Sequence, residues 1–206
     1  MGLKPKNNGG SKIYLNAMFG ALVQKVKAET EGTKKRVNKK GDTVFEIHHG
    51  SLTGKLISAE VVESESYGKF IELNMESDGT TYNVSIPLKS GYSRTLLNKW
   101  PNVDLTQEFE LSPYDFTGND GKRVIGMGIN QNGEKVDYKW TKENPGKRPE
   151  PKKVEFDGEM KWDYGAVTKF LIKAFEYHNE SLPAPVANPE PPVEEFATDE
   201  EDDLPF

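Results

Sequence analysis

Residues 67–100 read YGKFIELNMESDGTTYNVSIPLKSGYSRTLLNKW, and the hydrophobic period changes partway along. Ile71, Leu73 and Met75 alternate with polar residues, as do Tyr82, Val84, Ile86 and Leu88, so 67–77 and 80–88 are expected to be strands with one buried face. The link Ser77-Asp78-Gly79-Thr80 is a hairpin signal. After Pro87 the spacing becomes helical. Tyr92, Leu96, Leu97 and Trp100 fall on one face and Pro101 closes the segment, which predicts a short helix over 90–100.

Working outward, strands are expected at 44–49 and 52–62 before this stretch and at 108–111 and 122–129 after it. Three meandering strands, a helix and two further strands are the order of the five-stranded Greek-key barrel called the OB-fold. The expected architecture is therefore mainly β. Residues 13–26 add two N-terminal strands, although Leu15, Met18, Phe19, Leu22, Val23 and Val26 also fit helical spacing. Val136, Tyr138 and Trp140 predict one more strand, 143–153 an extended Pro-rich linker, and Asp163 the N-cap of a C-terminal helix reaching about 180. In that helix Phe170 and Phe175 are expected to pack on the core.

The chain divides into a basic arm at 1–12, one globular domain at 13–182 and an acidic tail at 183–206. The tail holds eight of the 33 acidic residues, no Lys or Arg and six of the 13 prolines, a composition expected to remain an extended, solvated arm. The other 182 residues carry 25 acids against 27 bases, so the net charge of −6 belongs to the tail. Positive charge is concentrated at 1–55, with 11 bases and four acids, and at 122–153, with nine and four. Such segments suit phosphate contact. With no cysteine, no apolar run of spanning length and no signal-peptide pattern, the expectation is a soluble cytoplasmic protein without membrane association.

Catalytic and metal chemistry find little support. His48 and His49 are adjacent on a strand and point to opposite faces, and no cysteine completes a zinc site, so neither a metal nor another cofactor is expected. Gly126-Met127-Gly128 is too short for a phosphate loop and predicts a bulge or a close backbone approach. No acid–base pair stands out, and an enzyme is not expected.

Binding of a single strand needs cations and exposed rings instead. The candidates for phosphate contact are Lys34, Lys35, Arg36, Lys39 and Lys40 in an expected loop at 33–41, together with Arg94, Lys122, Arg123 and Lys139. The candidates for stacking are Tyr67, Phe70, Tyr92, Tyr114, Phe116, Tyr138 and Trp140. Phe70 is expected on the face opposite Ile71, Leu73 and Met75. For each ring, burial in the core is at least as good an account.

The chain ends Asp202-Asp203-Leu204-Pro205-Phe206. This tip resembles that of bacterial and phage single-stranded DNA-binding proteins, which end in aspartates followed by Ile-Pro-Phe, with Leu204 in place of the Ile. The stretch at 36–54, RVNKKGDTVFEIHHGSLTG, leading into a β-rich body, is similar to the phage-encoded members. The resemblance implies an OB-fold, protection of single strands in replication or recombination without catalysis, and recruitment of replication or recombination proteins by Asp202, Asp203, Leu204, Pro205 and Phe206. An acidic-tailed protein interaction module and an OB-fold RNA binder remain alternatives. Oligomeric state is open.

Overall fold

The computed structural model describes residues 12–38 and 41–182. The basic arm at 1–11, Lys39, Lys40 and the acidic tail with its tip at 202–206 lie outside them. Twelve strands and two helices follow in chain order: β1 (Ile13–Met18), β2 (Ala21–Val26), β3 (Lys34–Val37), β4 (Thr43–His49), β5 (Leu52–Ser64), β6 (Gly68–Ser77), β7 (Thr80–Pro87), α1 (Gly91–Lys99), β8 (Phe109–Thr117), β9 (Arg123–Gln131), β10 (Glu134–Lys135), β11 (Lys152–Phe156), β12 (Glu159–Asp163) and α2 (Gly165–Asn179). The fold is mainly β, as the alternation predicts.

Ten strands form one sheet in the order β10-β9-β8-β5-β6-β7-β1-β2-β4-β3. All neighbours are antiparallel except β1 and β7, where Leu15 pairs with Val84. The meander β5-β6-β7 is followed by α1 and then the β8–β9 hairpin, with β8 returning to pair with the start of β5 through Leu52↔Leu111 and Gly54↔Phe109. The register shifts between Leu56 and Ser58, so β5 gives its first residues to β8 and its remainder mainly to β6. Gly54 permits this. A Cβ there would collide with the backbone carbonyl of Glu76, so the close passage of β5 over β6 needs a residue without one.

The alternating residues fill one core. Ile71, Leu73, Met75, Val84 and Ile86 are fully buried, with Leu15 and Leu22 from the N-terminal strands and Leu111, Met127 and Ile129 from β8 and β9. Trp100, at the end of α1, meets Phe109 edge-on at 5.8 Å and Phe175 of α2 at 5.2 Å. Its indole N–H donates to Asn179 at 2.8 Å, and Asn179 donates to the carbonyl of Ala59, so α2 is held to both the helical layer and β5. Phe175 is fully buried and Phe170 packs on Trp140 at 5.0 Å, as expected of the helix's apolar stripe.

Several local expectations are corrected. The basic run at 33–41 is not wholly a loop, since Lys34–Val37 forms β3 on the edge of the sheet. Arg36 pairs there with Glu46, which relieves the crowding of cations along the strand. The strand expected through Val136, Tyr138 and Trp140 is absent beyond the two-residue β10. Its backbone turns to α1 instead: Trp140 N–H donates to Asn98 Oδ1, Asn98 Nδ2 donates to Trp140 O, and Lys139 N–H donates to the carbonyl of Asn98. The linker at 143–153 runs into β11, whose hairpin with β12 was not expected. Tyr164, not Asp163, occupies the cap of α2, although Asp163 still accepts from Gly165 N–H at 2.7 Å.

Among the described residues, four two-residue turns have both residues in the left-handed region: Phe19-Gly20, Asp78-Gly79, Asn132-Gly133 and Asp157-Gly158. Three carry the Asp or Asn that tolerates this conformation. The first carries a phenylalanine.

Candidate nucleic-acid interface

The Phe19-Gly20 turn joins β1 to β2, and its ring is held outward at 47% exposure. A bulky residue with φ of 53° is a genuine outlier, costing about 1–3 kcal/mol that the surroundings must offset. The ring lies parallel to His48, with an interplanar angle of 8° and centroids 6.3 Å apart, and the Arg36 guanidinium is 5.9 Å from its centroid. Beneath them Glu46 is buried and accepts from Arg36 at 2.6 Å, while His48 Nε2 lies 3.3 Å from its other oxygen. Burial opposes the charge on Glu46, but hydrogen bonds from Arg36 and His48 outweigh it and hold the carboxyl below its ordinary value. Lys34 Nζ reaches 3.5 Å from His48 Nδ1. One ring platform is thus fixed from below by an ion pair.

A second set of rings lies on β8 and the segment after β10. Tyr114 and Phe116 share the face of β8 turned away from Leu111 and Pro113, with centroids 5.9 Å apart. Gly126 and Gly128 on β9 make room on that face, since a Cβ at the first would overlap the Tyr114 hydroxyl and at the second the Ser112 hydroxyl. No bulge interrupts the β8–β9 register at the paired glycines, and the close approach there is made by side chains of β8. Burial, and then the adjoining Tyr138 hydroxyl, push the Tyr114 pKa up to about 12. Phe116 is 54% exposed and Tyr138 40%. The Lys99 amine is 5.3 Å from the Tyr138 centroid; burial, and then Lys135, hold its pKa below the ordinary value.

The two ring sets are neighbours. Gly20 packs directly on the backbone of Asp115, where an added Cβ would sit 3.0 Å from the Asp115 nitrogen, so Phe19 and Phe116 flank a single contact. Tyr92 of α1 fixes the same turn, its hydroxyl accepting from Gly20 N–H at 2.8 Å.

The residues expected to bind divide accordingly. Tyr114, Phe116 and Tyr138 come together. Tyr92 is buried on α1 and offers no face to a base, which is a correction; Trp140 is half-buried, with Phe170 edge-on to its ring and Gly146 against its indole. Phe70 lies opposite Ile71 as expected, but is half-buried between Val62 and Pro87; Tyr67 is half-buried in the turn before β6. Lys122 pairs with Asp120 at 3.0 Å, and Arg123 makes a two-pronged contact with Asp115 at 2.8 and 2.5 Å. Lys35 and Lys139 are exposed, and Arg94 stacks on Tyr164 at 4.3 Å. Sequence reasoning missed Phe19 and His48 as members of the site; Lys99, though beside Tyr138, is fully buried and presents no charge to a strand. For Phe19 a signal existed, because Phe-Gly between two strand patterns puts an aromatic where a turn favours Asn or Asp.

No protein-family model, curated protein or solved structure matches this chain. Among the described residues no helix is long and apolar enough to cross a membrane.

Proposed function

We propose that this protein binds single-stranded DNA with little dependence on base sequence, as an OB-fold protein of the cytoplasm that carries out no reaction on the strand. The observation that carries the reading is the pair of adjoining ring sets, Phe19 beside Arg36 and Lys34, and Phe116 with Tyr114 and Tyr138. Every base has a π-face, so stacking on such rings contributes about 1–3 kcal/mol per base whatever the sequence. The exposed Lys34 and Lys35 on β3 supply the salt-dependent attraction to phosphates.

The barrel reading draws support from the order β5-β6-β7, α1, β8-β9, with β8 returning to β5. The N-terminal hairpin β1–β2 then extends β7 and brings its turn against β8. In this reading Asp202, Asp203, Leu204, Pro205 and Phe206 recruit replication or recombination proteins, the Phe206 ring suiting an apolar pocket and the aspartates its cationic rim.

A salt-titrated binding assay tests the function, comparing oligothymidylate with a duplex and with oligouridylate. Preference for the DNA single strand and a steep loss of affinity with salt are expected. Equal binding of duplex overturns the reading, and preference for oligouridylate replaces it with an RNA binder.

A further inference from the structure

Between α1, α2 and the segment leading to β11 lies a cavity of about 170 Å³, whose lining includes Arg94, Arg148, Tyr138, Tyr164, Val167 and Leu171. Its lining is apolar on the α2 side, with Val167 and Leu171, and also carries two arginines. Two of its polar side chains are already committed. Asn98 exchanges both of its amide hydrogen bonds with the Trp140 backbone, and the Thr95 hydroxyl donates to helix carbonyls while accepting from Met127 N–H.

The arginines are not so committed. Arg148 Nε is buried and has no hydrogen-bond partner among the described residues, and the Arg94 guanidinium sits over the Tyr164 ring at 4.3 Å from its centroid. Among the described residues neither guanidinium pairs with a carboxylate. A buried donor without an acceptor is costly, and a guanidinium stays charged at every relevant pH, so the missing group is an anion. With the amide and the threonine hydroxyl used internally, two sources of base-edge readout are gone. What remains is a charge clamp beside an apolar wall.

The geometry points to a nucleotide site: one nucleotide of the bound strand turns into this cavity, its phosphate between Arg94 and Arg148 and its base against Tyr138 and Leu171. A cavity of this size accommodates one six-membered ring, as a void of about 150 Å³ holds benzene. Continuity favours nucleic acid over a peptide carboxylate. Tyr138 lines the cavity and also adjoins Tyr114, which leans on Phe116, so a strand stacked along β8 arrives at the mouth. The inference rests on the single-strand reading and adds to it a site away from the sheet surface.

The test measures oligothymidylate affinity against salt for the full chain and for Arg148→Met, Arg148→Lys and Phe116→Ala. Arg148→Met is expected to lose about tenfold in affinity and to lower the salt slope by about 0.7, one single-strand phosphate. Arg148→Lys keeps the charge and loses the fork, so it keeps the slope and loses less affinity. Oligomers carrying 5-iododeoxyuridine are expected to crosslink on irradiation to the peptide containing Tyr138 or Tyr164. If Phe116→Ala weakens binding while Arg148→Met leaves affinity and slope unchanged, the cavity inference fails and the single-strand reading stands. Should the parent protein show no preference for a single strand, both fail. If Arg148→Met leaves oligothymidylate binding intact but abolishes binding of a synthetic peptide of residues 197–206, the cavity is a carboxylate anchor and the nucleotide site is overturned.

Discussion

The Tyr92 hydroxyl accepts a hydrogen bond from the backbone N–H of Gly20 at 2.8 Å, across 72 positions of sequence. It joins α1 to the β1–β2 turn and sets the height of Phe19 against β8. Burial raises the Tyr92 pKa, so the hydroxyl keeps its proton through neutral pH and turns its oxygen to Gly20. Tyr92→Phe keeps the packing and leaves that N–H without its partner, and is expected to cost about 1–3 kcal/mol. Denaturant unfolding measures this. A midpoint equal to the parent's would mean that water replaces the hydroxyl at no cost.

Glu46 supplies a prediction for acid. Its folded pKa is depressed, so its contribution is present above the unfolded value of about 4.5 and is lost as pH falls through the folded value. Glu46→Gln removes the charge that pairs with Arg36 and is expected to cost about 1–3 kcal/mol at neutral pH. The gap between variant and parent should close below pH 4.5. If it stays constant with pH, the carboxylate charge is not what holds Arg36 and His48.

Tyr114 supplies the alkaline counterpart. Its folded pKa of about 12 lies above the ordinary value of 10, so the stability it contributes is complete below pH 10 and disappears as pH rises toward 12. Titration followed by tyrosinate absorbance should show a late-ionising group that Tyr114→Phe removes. Retention of that late step in Tyr114→Phe would assign it to another tyrosine.

How far the sequence foretold these features depends on the range of the interaction. Alternation exposed β5, β6, β7 and the core residues Ile71, Leu73 and Met75, because burial on one face of a strand imposes period two. The Asp157-Gly158 turn was as plain as Asp78-Gly79, and Val154, Phe156, Met160 and Trp162 alternate around it as strands require, but the Pro-rich, basic stretch before it masked the hairpin, and its 12 residues bury no side chain. The failed strand after β10 had the opposite cause. Its alternation was real, but Asn98, some 40 residues upstream, captured the backbone of Trp140. In the site, Tyr114 and Phe116 were named as rings but fell beyond the strand expected at 108–111, which runs on to Thr117 as β8, whereas Phe19 acquired its role only when β1 and β2 folded into a hairpin against β8.

The acidic tail leads to an electrostatic prediction that does not depend on its conformation. Residues 189–206 carry the eight acids and no Lys or Arg, so they resemble a nucleic-acid strand in charge and compete for the same cations. Deleting them is expected to tighten oligothymidylate binding several-fold at 0.01 M salt, where the Debye length is about 30 Å, and much less near physiological strength, where it is about 8 Å. Phe206→Ala leaves the charge and should not change DNA affinity while reducing capture of replication proteins. Unchanged low-salt affinity on deletion would show that the tail does not compete for the site.

Phe19 sets stability against binding within one residue. Its φ of 53° is strained for a phenylalanine and comfortable for asparagine, the residue the other turns use or approximate with aspartate. Selection for folding alone would place Asn or Asp here. The ring is 47% exposed, so the contacts it gives up with His48 and Arg36 are partial ones at the surface. Phe19→Asn is therefore expected to raise stability by about 0.5–1 kcal/mol, less than the full strain because those contacts are lost. The same change removes one stacking surface, and single-strand affinity should fall by about five- to a hundredfold, equivalent to about 1–3 kcal/mol. Opposite movements of unfolding midpoint and affinity identify a ring held in strain for binding. A variant that is less stable and binds DNA as tightly as the parent would mean that packing on His48 and Arg36 explains Phe19 completely, and the platform on β4 would drop out of the interface.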